Sequence, residues 1–208
     1  MMPLLFSRLT LLTIVVLLMH LAGCASSAPT RFYVLSPLAS SKSESQILKD
    51  EGCITIGVGP VELPAYLDRP QIVTRVSENE LNLAEFNKWA EPLKDNFTRV
   101  LVENLSTLLC ADAISIFPWK GSTPIDYQVE VTVIRMDGNV GGNASLVTRW
   151  AIFREKDKKM LLMKQSSFSR LLNSQGYQAL VSAQSGAIAD LSREIAEGIK
   201  TYAFTVDK

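Results

Sequence analysis

Between Tyr127 and Arg170 the chain alternates apolar and polar residues three times in succession, and no other feature limits its fold so tightly. In Tyr127–Met136 the residues Tyr127, Val129, Val131 and Val133 fall on one side. A side-chain period of two is that of a strand with one buried face. The segment "ASLVTRWAIFRE", Ala144–Glu155, repeats the pattern, and "MLLMKQSSFSR", Met160–Arg170, completes it. The intervening "DGNVGGN" and "KDKK" are turn residues and charges, too short for the crossover that parallel neighbours require. Three strands joined in this way predict an antiparallel meander.

A half-buried sheet needs apolar cover, and two segments can supply it. Pro92 suits a first helical turn, where its missing N–H costs nothing. From there Leu93, Phe97, Val100, Leu101, Leu105 and Leu108 recur at helical spacing to about Leu109, with Lys94, Asp95, Arg99 and Glu103 on the polar side. A second stripe, Tyr177, Leu180, Val181, Ile188, Leu191, Ile195 and Ile199, predicts a helix from about Tyr177 to Ala203. Earlier strands are predicted at Arg31–Leu35, Ile54–Val61, Gln71–Val76 and Ile114–Trp119, with Asn79 to Leu81 as a turn into one more short strand. "SPLASSKSES", Ser36–Ser45, reads as a loop. The expected fold is one α+β domain, a mixed and antiparallel sheet with two main helices packed on one face. Gly57, Gly59 and Pro60 lack the Gly-Lys-[Ser/Thr] ending or a G-x-G-x-x-G spacing. They predict a kink or a close backbone approach instead of a phosphate loop. Trp89 and Trp150 are expected in or beside the core.

The N-terminus stands apart from this domain. Arg8 is the only charge before an apolar core at Leu11–Leu18, which reaches His20 well short of the roughly 20 apolar residues a bilayer span needs. A basic start, a short apolar run and small residues at its end make a secretory signal peptide. Leu21-Ala22-Gly23-Cys24 resembles the lipobox of bacterial lipoproteins. That resemblance implies diacylglycerol on the Cys24 thiol, cleavage before it and acylation of the new amino group. One acyl chain holds a protein only marginally, at about 0.8 kcal/mol per buried methylene, and two or more hold it stably. The expected organisation is a signal peptide at 1–23, lipidated cysteine and tether at 24–30, and the folded domain at 31–208.

Composition removes several classes of function. The 21 Lys and Arg balance 21 Asp and Glu, so no basic excess points to nucleic acid. The single histidine, His20, lies in the leader. The mature chain therefore cannot build Ser-His-Asp, Cys-His or His-metal sites. No spacing suggests a Ser-Lys or carboxylate-only site. No enzyme, metal or cofactor is expected. Cys53 and Cys110 remain after Cys24, in a compartment where disulfides persist. A bridge would close a loop of nearly sixty residues, worth about 4 kcal/mol in the chain-entropy account. The alternative is two buried thiols, and sequence supplies no distance with which to choose.

The aromatic first strand "FYVL", "ITIGVGPVELPAYLDRPQIVTR", "WAEPL" leading into "VLVENLSTLL", the lipobox and the C-terminal amphipathic helix together resemble the PqiC-like ABC-type transport auxiliary lipoproteins. The resemblance spans essentially the whole mature chain and is strongest over Ile54–Leu109. It implies a periplasmic lipoprotein that partners an MCE-domain protein and associated inner-membrane components in lipid transport between membranes. It also implies placement at the outer membrane, consistent with Ala25 where an inner-membrane retention signal would have Asp. A homo-oligomer is compatible with it. A lipid-carrying domain and a pilot-like lipoprotein for an outer-membrane complex are the alternatives. The loop bracketed by Pro64 and Pro70 offers Tyr66, Leu67, Asp68 and Arg69 as partner-binding candidates, since the prolines limit the entropy lost on binding and tyrosine is common at interface hot spots. Equally, Tyr66 and Leu67 can fold back onto their own core. Asp68, Arg69 and Arg75 can pair with a partner or with one another.

Overall fold

A computed structural model describes residues 28–39, 53–119 and 124–205. The leader and Cys24 lie outside these residues, as does much of the Ser-rich loop. The meander forms as expected from its period: β6 (Tyr127–Gly138), β7 (Asn143–Arg154) and β8 (Lys159–Leu171) pair antiparallel in sequence order. Two parallel strands extend it. β2 (Ile54–Glu62) pairs with β6 on one side and with β5 (Ala111–Ile116) on the other, giving the order β5-β2-β6-β7-β8.

A second, smaller sheet has the order β1-β4-β3, built from β1 (Arg31–Tyr33), β3 (Gln71–Arg75) and β4 (Leu81–Trp89). Here β1 runs parallel and β3 antiparallel to β4. The strand at Leu81–Trp89 is longer than the short one expected. Its Asn, Glu and Lys residues have low strand propensity, and an irregularity between Leu83 and Lys88 breaks its alternation. β5 likewise starts three residues before the expected Ile114.

Two helices, α1 (Leu93–Leu108) and α2 (Tyr177–Thr205), pack on each other and on the larger sheet, α1 against β2 and β5, α2 against β6, β7 and β8. Phe97, Val100, Leu101 and Leu105 of α1 meet Leu180, Ile188, Leu191, Ile195 and Ile199 of α2 in one continuous core with Val129, Val131 and Val133. Trp150 is fully enclosed, its indole N–H donating to Ser166 Oγ at 3.0 Å. Trp89 is also buried. Arg170 of β8 adds a bidentate pair to Asp190 of α2 at 2.8 and 2.7 Å.

The stripe of apolar residues in α1 hides two polar ones that periodicity alone did not flag. Asn96 and Asn104 are buried, and each accepts from the chain that leaves β1. Leu35 N–H donates to Asn96 Oδ1 at 2.7 Å and Leu38 N–H to Asn104 Oδ1 at 2.7 Å. Between them Ser36 N–H donates to Ser185 Oγ of α2 at 3.1 Å. Residues 34–38 are thus a strap across both helices. Asn104 also donates to Ser192 Oγ at 3.0 Å, so the buried amide is used on both sides, as a buried polar group must be.

Gly57 and Gly59 answer the question raised by their strand. A Cβ on Gly57 would lie 2.7 Å from the Trp119 ring, and Gly59 has φ +119° with Phe117 pressed against it. Both are close approaches. At the opposite end of β2, Cys53 is joined to Cys110 in a disulfide with the Cα atoms 4.9 Å apart, bridging the starts of β2 and β5.

Candidate partner interface

The Pro64–Pro70 loop is shaped by a single turn of 3-10 helix, Ala65–Leu67, closed by Leu67 N–H donating to Pro64 O at 2.9 Å. Its end is tied down where Trp89 N–H donates to Pro70 O at 2.7 Å. This turn carries Leu67 inward, leaving it 3% exposed within the core. Burial of the Leu67 side chain anchors the loop, at roughly 2 kcal/mol for a residue of this size.

Tyr66 is half-buried and packs against the core. Its hydroxyl is enclosed beside Arg75 and Asp137, without a hydrogen bond of ordinary geometry among the described residues. Burial first, then the Asp137 charge, holds its pKa above the ordinary phenol value, with the Met136 backbone and Arg75 opposing. Arg75 does not pair with Asp68. Its Nε donates to Asp137 Oδ2 at 2.6 Å, and its Nη1 to Glu78 O at 2.9 Å. The Asp137 side chain is only 3% exposed, and Arg135 Nε lies 3.7 Å from its other oxygen. Two cations around an enclosed carboxylate fasten the small sheet to the end of β6. Asp137 holds the Arg75 guanidinium above its usual pKa, chiefly through that hydrogen bond.

What the loop shows to solvent is Ala65, Asp68, Pro70 and part of Arg69, and here a larger surface begins. A hollow of about 340 Å³ is lined by Asp68, Arg69, Pro70, Trp89, Glu91 and Pro92. A second, of about 380 Å³, is lined by Glu62, Leu63, Ala65, Asp68 and Lys94. A third, of about 430 Å³, includes Pro60, Val61, Lys94, Ile116, Phe117 and Pro118. Asp68 is common to the first two and Lys94 to the last two. Together they form one trough around the start of α1, charged at the loop and apolar at its far end. Ile116 and Phe117 are 48% and 47% exposed there. Phe117 is braced edge-on by Trp119, with ring centroids 5.3 Å apart. The sequence pattern predicts a strand over Ile114–Trp119, whereas β5 ends at Ile116 and Phe117 stands exposed beyond it. The available signal was "IFPW", where a proline that cannot extend the sheet follows two apolar residues.

This arrangement offers recognition by shape and charge. Among the described residues no group of His, Cys, Asp and Glu is disposed to hold a metal ion. No described helix is long and apolar enough to cross a membrane.

The family described as ABC-type transport auxiliary lipoprotein component matches residues 33–196. The chain belongs to that family. It is 26% identical over 180 residues to the Intermembrane transport lipoprotein PqiC of Escherichia coli strain K12, covering 86% of this chain and 92% of that protein. The protein of the same name from Shigella flexneri matches equally. Among solved structures, one from Xanthomonas campestris superposes with a TM-score of 0.66 at 16% identity, over 85% of this chain and 98% of its own. Another, of an uncharacterized protein, reaches 0.67 at 20% identity, over 83% and 99%. These two likenesses show the α+β fold. The chain is thus a PqiC-like transport auxiliary lipoprotein by family, as its motifs implied.

Proposed function

We propose that this lipoprotein is a non-catalytic, periplasmic component of an MCE-type intermembrane lipid-transport system, holding the transport assembly at the outer membrane through an acylated Cys24. The named relatives are intermembrane transport lipoproteins, and the family is one of transport auxiliary components. The observation that carries the docking role is the trough. Apolar side chains held half-exposed beside a charged rim match the anatomy of a protein interface, with an aromatic anchor at the dry end and polar residues around it. The MCE-domain partner seats on Phe117 and Ile116, with Asp68, Arg69 and Lys94 setting register.

Crosslinked capture from cell envelopes tests this. The parent protein recovers an MCE-domain protein, while Phe117→Ala and Asp68→Lys lose most of that capture and keep the parent's thermal unfolding. Equal capture by all three would reject the trough as the docking surface. Phospholipid retained in fixed ratio by the purified protein would make it a carrier instead.

A further inference from the structure

The first strand of the folded domain, next to the N-terminal tether, carries the most exposed aromatic side chain of the described residues. Phe32, in the edge strand β1, is 64% exposed. Directly opposite it in register is Lys88 of β4, so both side chains stand on one face of the sheet. Val34, just past the strand, is exposed as well, and so is Arg31. Neither Arg31 nor Lys88 forms an ion pair with another described residue, whereas Arg75, Arg99, Arg170 and Arg193 all do.

The length of chain before β1 decides what this patch faces. Six residues separate Cys24 from Arg31, and those seven steps of fully extended chain reach only about 24 Å. With acyl chains on Cys24, β1 is held within that distance of the phospholipid headgroups at all times. An exposed aromatic ring beside an uncommitted cation suits that zone, because the ring enters the acyl boundary and the cation meets anionic phosphates.

We infer that Phe32, Val34 and Lys88 form a membrane-surface contact, with Phe32 inserted in the interface of the bilayer that carries the lipid anchor. The contact rests on acylation at Cys24. It orients the domain, fixing a pose in which the β7–β8 turn is directed away from the bilayer.

The test uses the lipidated protein reconstituted in phosphatidylethanolamine–phosphatidylglycerol vesicles whose upper acyl carbons carry bromine, a contact quencher of tryptophan. Trp89 and Trp150 are buried and Trp119 is partly so, so the parent's own quenching is measured and subtracted. Two variants are compared, F32W and M160W. Met160 is exposed near the start of β8, where Leu162 lies against Gly198 of α2, about 30 Å along that helix from the Tyr177 that packs beside Tyr33. The tryptophan of F32W is expected to lose about half its emission or more, at the interfacial depth such contacts reach, and that of M160W to keep its emission. Adding Lys88→Glu to F32W should relieve the quenching. Flotation of the parent with the vesicles is scored separately. Intact flotation with equal, unquenched emission from both variants overturns the membrane contact alone. Loss of flotation overturns the acyl anchor, and the contact with it.

Discussion

The body of the molecule and the small sheet clamped to it are held by different forces. In the body, α1 and α2 press an almost unbroken apolar face onto β2, β6 and β7, and the energy is spread over many side chains. The small sheet also contributes Ile72, Val73 and Trp89 to the core, but its far end rests on one enclosed carboxylate, Asp137, gripped by Arg75 with Arg135 nearby. Dispersed burial tolerates the loss of a member in proportion to its size. A buried ion pair does not, because removing one partner strands the other in a poorly solvated place.

That contrast can be broken at its strongest point first. Trp150→Ala should cost about 4 kcal/mol from the enclosed cavity it leaves, with Ser166 losing its donor besides. Denaturant midpoints against the parent measure it, and a cost under about 1 kcal/mol would mean the body repacks freely. Next, Arg75→Ala should cost about 2–3 kcal/mol, toward the low end for a buried pair because Arg135 stays near Asp137. The paired change Arg75→Met with Asp137→Leu should recover most of that loss. If the double variant is as unstable as Arg75→Ala, the pair contributes net attraction and not merely mutual satisfaction.

A smaller effect is expected at the strap. Asn104→Ala removes acceptors and donors from Leu38 and Ser192, for about 1–2 kcal/mol. Amide exchange at Leu38 should quicken far more than exchange in β6, and uniform quickening would contradict a local fastening. The smallest effect lies in the β7–β8 turn. Arg154 donates to both Asp157 oxygens, at 3.0 and 2.7 Å, and this first of all lowers the Asp157 carboxyl from 3.8 to about 2. Because the folded value lies below the unfolded one, the pair's contribution is complete above about pH 4 and is lost as pH falls toward 2. Titration of the Asp157 carboxyl carbon by NMR should show this, and Arg154→Ala should move it back up.

The same division explains what could be read from the chain. Periods of two and 3.6 made β6, β7, β8 and both helices legible, since each depends on which side of its own segment is apolar. β4 was harder to read, its alternation broken and its polar residues numerous. The loop at Tyr66 and Leu67 carried one signal, apolar residues between prolines, that serves equally for docking outward or anchoring inward. What settles it is the core beneath Leu67 and the Arg75–Asp137 pair, whose members lie 62 residues apart. No local pattern encodes a partner at that distance. The exposure of Phe117 likewise depends on how the end of β2 and the start of α1 leave the trough open beside it.

The strap has a mechanical consequence. On the proposed function, a domain tethered to one membrane while gripping an assembly rooted elsewhere would be under load whenever the two move apart. That load would enter through the chain before Arg31. β1 lies alongside β4, and a pull along a strand's length strains its ladder contacts together, in shear, instead of opening them one at a time. Should β1 slip, the amides of Leu35, Ser36 and Leu38 still grip Asn96, Ser185 and Asn104. The first segment of the folded domain thus works as a strain relief, taking tension before it reaches the packed helices.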